Sequence, residues 1–200
     1  MRSGDVPSVH RGIRGRYESL GVDEYYRTEG WAYRNPHESA IRQVIIELFR
    51  RGEMSPGSAL DLACGSGEAT LTLVDLGVRA IDGVDPYTGA AYYKRTSSVA
   101  IPLTFQDVAL GGLAGRQYDL IVCSFALHLV ARSWLPRLML ALCDATTGVK
   151  ARLLITTPHK RPEIRQEWGW RLLDEIMFDR VRGRLYEPLP QVGDHPPFLA

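Results

Sequence analysis

From residue 58 onward, short apolar runs alternate with segments whose apolar residues recur at helical spacing. SALDLA (58–63) is apolar almost throughout, the pattern of a strand buried on both faces. GEATLTLVDLG then predicts a helix ending at Gly77. RAIDGVD, IPLTFQD (101–107), YDLIVCSF and ARLLITT continue the series as second to fifth strands. TGAAYYKRTS supplies a helix after the second strand, and SWLPRLMLALCDATTG one after the fourth. In the latter, Ser133 offers an N-cap and Pro136 suits the first turn. Ahead of the series, ESAIRQVIIELFRRG places Ile41, Val44, Ile45 and Leu48 on one helical face and stops at Gly52.

The tail GWRLLDEIMFDRVRGRLYEPL admits a helix through Leu172, Leu173, Ile176 and Met177. It equally admits two antiparallel strands, with Trp170, Leu172, Ile176 and Phe178 on one face and Val181 and Leu185 on another. The strand pair, which closes the sheet, is preferred. The pattern then predicts a doubly wound α/β fold: a mostly parallel, seven-stranded sheet with helices on both faces. Residues 1–16, rich in Gly, Arg, Ser and Pro, are expected to be poorly ordered, and 17–200 to form a single domain.

Composition narrows the class. The 200 residues are 45% hydrophobic and 24% charged, with a formal net charge of +1. Such balance argues against a general affinity for polyanions. The locally basic stretches VHRGIRGRYESL and HKRPEIR are each followed by acidic residues and read as solvated surface. Three cysteines, at 64, 123 and 143, show no metal-ligand spacing, and are expected to be reduced and structural. No metal is expected. With no apolar stretch of membrane-spanning length and no signal-peptide core, the chain is expected to be cytoplasmic and away from membranes.

The chemistry centres on LDLACGSGEAT, where a strand meets its helix at two near-adjacent glycines. Ligands of open parallel sheets bind at such strand ends. A phosphate-cradling loop needs a Lys-Ser or Lys-Thr pair after its second glycine, and none is present. A dinucleotide fold calls for a third glycine where Thr70 stands, and Glu68 would sit badly beside a pyrophosphate.

LDLACGSG instead resembles the first motif of class I S-adenosylmethionine-dependent methyltransferases, with Ala63 in place of the usual first glycine. The cofactor of that family carries no phosphate, so the missing lysine and Glu68 are both accommodated. GVDP places Asp85, followed by Pro86, where the family binds both ribose hydroxyls. FQD places Asp107, between Gln106 and Val108, at the family's adenine-binding position. YDLIVCSFALHLV resembles the fourth motif, in which backbone and small side chains such as Ser124 hold the methionine end. Asp61 matches the acidic position near the cofactor's ammonium group. Residues 55–160 carry the resemblance. It implies cofactor contacts at Asp61, Ala63, Gly65, Gly67, Asp85, Pro86, Gln106, Asp107, Val108 and Ser124.

Methyl transfer is an in-line displacement that needs a general base only when the acceptor must lose a proton. His128 and His159 follow the fourth and fifth strands and are the candidate bases, with Lys160 beside the second. EYYRTEGWAYRNPHE, within a lid segment expected over 17–52, interleaves aromatics with Arg27, Arg34 and Asn35. Tyr33 is expected against the cofactor, with Tyr25 and Asn35 shaping the substrate pocket. The chain lacks the Pro-Pro-aromatic signature of adenine and glutamine-amide methylation and the cysteine-proline arrangement of cytosine-C5 chemistry. A small molecule, methylated at O, N or S, is therefore the expected acceptor. RNA or protein substrates, and a non-catalytic cofactor-binding partner subunit, are the alternatives.

Overall fold

The computed structural model describes residues 33–190. Helix α1 (Glu38–Arg50) follows the helical pattern closely: its buried residues include Ile41, Val44, Ile45 and Leu48. Then come β1 (Ser58–Leu62), α2 (Glu68–Asp75), β2 (Ala80–Val84) and α3 (Gly89–Thr96). The second half holds α4 (Phe105–Ala109), β3 (Leu120–Ser124), α5 (Leu135–Asp144), β4 (Arg152–Thr157), β5 (Trp170–Phe178) and β6 (Val181–Pro188).

The sheet has six strands in the order β2-β1-β3-β4-β6-β5. The first four strands run parallel, whereas β6 pairs antiparallel with both β4 and β5. The sheet is thus mixed, and the seventh strand expected over 101–107 does not form. Ile101 makes only an isolated bridge to Val84. Past it, Thr104 caps a new helix: its hydroxyl accepts from the Asp107 backbone N–H, and the Asp107 carboxylate accepts from the Thr104 N–H at 2.9 Å. That reciprocal cap commits the chain to helix where alternating apolar residues suggested a strand.

Two further expectations change. Ser133 does not cap α5, whose N-cap is Trp134 with no side-chain bond, although Pro136 does fall in the first turn. The tail forms the two antiparallel strands, but the proposed shared face is broken by a register shift between Leu172 and Asp174. Trp170 joins the core on one side of the sheet and Ile176 packs on the other, while Leu172 and Phe178 are exposed. An extra residue in one strand reverses its side-chain alternation.

Helices cover both faces. Leu60, Leu62, Ile121, Cys123, Leu153 and Ile155 pack under α5, where the fully buried Trp170 donates its indole N–H to the Met139 carbonyl at 2.8 Å. On the other face Ala59, Leu120, Val122 and Leu154 meet α1 and α2. A Cβ on Gly183 of β6 would lie 2.4 Å from Val44 Cγ1, so α1 rests directly on that strand. Helix α1, which falls within the segment expected to form a lid, is therefore a packed layer of the fold. Among the described residues no helix is long and apolar enough to cross a membrane.

Candidate active site

The turn from β1 into α2 has three residues in left-handed backbone conformations: Ala63 (φ 57°), Gly65 (φ 56°) and Gly67 (φ 86°). The conformation is costly for a residue with a Cβ and natural for glycine. Its placement brings the Gly65 N–H to within 3.2 Å of Asp85 Oδ2, at the tip of β2. The other Asp85 oxygen accepts from the Tyr87 and Thr88 backbone N–H groups at 2.8 and 2.9 Å. The two sequence motifs are thus joined through one carboxylate.

Beside this junction lies a cleft of about 340 Å³ at the carboxyl ends of β1, β2 and β3. Ala63, Gly65, Asp85, Pro86, Gln106 and Ser124 line it, as does Tyr33 from the N-terminal side. Six of the ten cofactor positions expected between Asp61 and Ser124 therefore converge on one cavity. Among the described residues, the Ser124 and Thr88 hydroxyl oxygens on its wall are buried without a hydrogen-bond partner.

Four expected residues lie elsewhere. Asp61, 1% exposed, sits beneath the turn and accepts from Thr70 N–H (3.0 Å) and Thr70 Oγ1–H (2.7 Å). Burial, aided by the Glu68 and Asp85 charges, pushes its carboxyl up to about 7. Gly67 faces protein, since a Cβ there would lie 2.6 Å from Thr96 Cγ2. Val108 is buried in the core. Asp107 is exposed, and its carboxylate is engaged with Thr104, whose hydrogen bonds hold it below its ordinary value.

At the rim, His128 lies in a short 3-10 helix (Leu127–Leu129) and meets His159 edge to face, with ring centroids 4.9 Å apart. Both are exposed, and neither lines the cleft, although Leu129 does. Asn35 is buried behind Tyr33, and Arg34 pairs with Glu38 at 3.0 Å, leaving the cleft wall to Tyr33. Tyr25 and Arg27 lie outside the described residues. All three cysteines are buried and unpaired with one another. Burial pushes the Cys123 thiol up to about 12 and the Cys64 thiol higher still. The local motifs did not disclose the apolar part of the wall, Leu103, Phe105, Phe125 and Val130. Phe125 follows β3 at φ 56°, a conformation whose only trace in sequence is its place between two strand-end motifs.

A protein of Schizosaccharomyces pombe, uncharacterized protein C17A5.05c, is 30% identical over 199 residues, covering 79% of both chains. The chain belongs to its family. No family model matches. Solved structures extend the comparison through shape. A structure from the conversion of a disulfide bond into a thioacetal group during echinomycin biosynthesis superposes with a TM-score of 0.62, at 18% identity, over 82% of this chain and 90% of that one. The ribosomal protein L11 methylase of Lactobacillus delbrueckii subsp. bulgaricus gives 0.58 at 16% identity (79% and 81% covered). Magnesium protoporphyrin IX methyltransferase of Synechocystis PCC 6803, with bound SAM, gives 0.57 at 18% identity (88% and 93% covered). This is the class I methyltransferase fold. In class I methyltransferase terms, the cleft stands at the open ends of the parallel strands, where sheets of this kind take their ligands.

Proposed function

We propose that the chain is an S-adenosylmethionine-dependent methyltransferase acting on O, N or S of a small molecule. The observation that carries this reading is the cleft itself: Asp85, Gly65, Gln106 and Ser124, from separate segments, face one space of about 340 Å³. The Asp85 carboxylate stands at the cleft where a phosphate site would carry a cation, which suits nucleoside hydroxyls and repels a phosphate. Asp85 would accept from ribose hydroxyls, and Leu103, Phe105 and Tyr87 would give an adenine ring apolar walls. Ser124 and Ala63 would border the methionine end. When bound, the cofactor supplies an electrophilic methyl group on a sulfonium centre.

The protein's own contribution is placement and exclusion of water. Tyr33 covers the Gly65 turn, while Phe125, Leu129 and Val130 form a dry wall toward the rim. His128 and His159, exposed together outside the cleft lining, would be the groups to take a proton from an acceptor that must lose one. Asp107 acts indirectly, fixing α4 so that Gln106 faces the cleft.

Calorimetry with S-adenosylmethionine and S-adenosylhomocysteine tests the cofactor reading, and saturable binding of both is expected. Asp85→Ala should weaken binding by about 1.5–3 kcal/mol, the scale of hydrogen bonds to a charged group. A folded wild-type chain that binds neither compound overturns the proposal. Labelled cofactor incubated with metabolite extracts then tests the acceptor class; label appearing only in RNA or protein would overturn the small-molecule reading.

A further inference from the structure

The segment 33–37 crosses from the end of β1 to the end of β3. Tyr33 lies against Gly65, to the point that a Cβ on that glycine would come 2.8 Å from Tyr33 Cε1. Four residues on, the His37 ring stacks on Phe125, with centroids 4.7 Å apart and planes within 12°. Both Gly65 and Phe125 line the cleft, so this strap borders it, and Tyr33 forms part of the wall.

Hydrogen bonding within the strap is slight: the Asn35 side chain accepts from the His37 N–H, and its carbonyl from the Glu38 N–H. What fastens its middle to the body is one buried carboxylate. Glu68, 5% exposed and the first residue of α2, accepts the Asn35 backbone N–H at 3.0 Å through Oε1. The same oxygen accepts from the Ser66 hydroxyl and from Arg95 Nη1 at 3.1 Å. Arg95 also binds the Ser66 carbonyl and, through its other nitrogen, Glu38 at the head of α1. Three elements, α1, α2 and α3, are thus locked around the amide of Asn35. A charged acceptor at such a site costs burial energy that only its partners offset. None of those partners lines the cleft.

We propose that Glu68 is a positioning residue that acts through Asn35 to hold Tyr33 over the bound cofactor, with Arg95 steadying its carboxylate. This rests on the reading of the cleft as the cofactor site. Glu68 touches no ligand in this arrangement; its effect is to keep the strap in the closed position, which slows ligand escape.

The test reads the strap both with and without ligand. In the ligand-free chain, Glu68→Ala should speed amide hydrogen exchange of residues 33–37 at least tenfold, while Glu68→Gln, which keeps an amide oxygen for Asn35, should restore most of the protection. S-adenosylhomocysteine should dissociate about tenfold faster from Glu68→Ala than from wild type in stopped flow, and again Glu68→Gln should recover. A double-mutant cycle on the dissociation rate is decisive: in a Tyr33→Ala background the Glu68 change should not speed release of S-adenosylhomocysteine any further. Should Glu68→Ala fail to fold, Arg95→Gln serves in the same cycle, with a smaller effect in the same direction. Equal effects of the Glu68 or Arg95 change in both Tyr33 backgrounds, or unaltered exchange at 33–37, overturn the strap role while leaving cofactor binding intact. Loss of S-adenosylhomocysteine binding by the wild type would instead overturn the cofactor reading and this inference with it.

Discussion

Ala63 occupies the position that the resemblance assigns to glycine, and its φ of 57° shows why glycine is usual there. A left-handed residue with a Cβ is strained by roughly 1–2 kcal/mol, part of which glycine would return as a more flexible unfolded chain. Ala63→Gly should therefore stabilise the fold by about 0.5–1 kcal/mol in urea unfolding. Asp61 makes a second prediction at this scale. Its carboxyl rises from an ordinary value of 3.8 to about 7 on folding, chiefly by burial. A raised acid means that the native state holds a proton the unfolded chain has lost. The contribution of Asp61 to stability is thus fullest below about pH 4 and is lost as pH rises to about 7, at up to about 1.4 kcal/mol per pH unit. The stability of Asp61→Asn relative to wild type should improve between pH 5 and pH 8 in thermal unfolding. A pH-independent difference would show that Asp61 is ionised throughout. Both residues stand out in the sequence as a departure and a lone acid in an apolar strand, but only the backbone angle and the burial say what each costs.

Strands β1, β3 and β4 were legible because both faces of each are covered, which leaves LDL, LIVC and LLITT mostly apolar and without strict alternation. The segment 101–107 misled because alternation of Ile101, Leu103 and Phe105 imitates a half-buried strand. Thr104 and Asp107, three apart, are the overlooked signal of a helix start. In the tail, the bulge between Leu172 and Asp174 could not be read from alternation, because it is the point where alternation fails. The seat of α1 on β6 yields a prediction for these elements. Gly183→Ala would drive a Cβ into Val44, whose branched side chain has little freedom to move, and should destabilise by about 1–3 kcal/mol in chemical denaturation. Pairing it with Val44→Ala should recover part of the loss.

Across the molecule, the strand-end motifs pointed to one edge of the sheet, and the cleft is there, although only Asp85 and Gly65 of their acids and glycines line it. The roof was not legible as such. Aromatic residues near the start of the chain suggested a cover, yet the Asn35 backbone N–H is spent on Glu68, remote in sequence, and Arg34 on Glu38 at the head of α1. Among the described residues of that segment, only Tyr33 reaches the cleft. The route by which it is held carries a consequence for assembly. Tyr33 and α1 belong to the first described stretch of the chain, whereas β6, the strand on which α1 rests, belongs to the last. During synthesis the roof leaves the ribosome well before its foundation. A growing chain with β1 to β4 complete would own Asp85, Gly65 and the Glu68 that holds the strap, while α1 would still lack the part of its seat that β6 provides. Full seating of the roof thus becomes a late event in the making of this protein, completed by a ribbon that lines no part of the cleft.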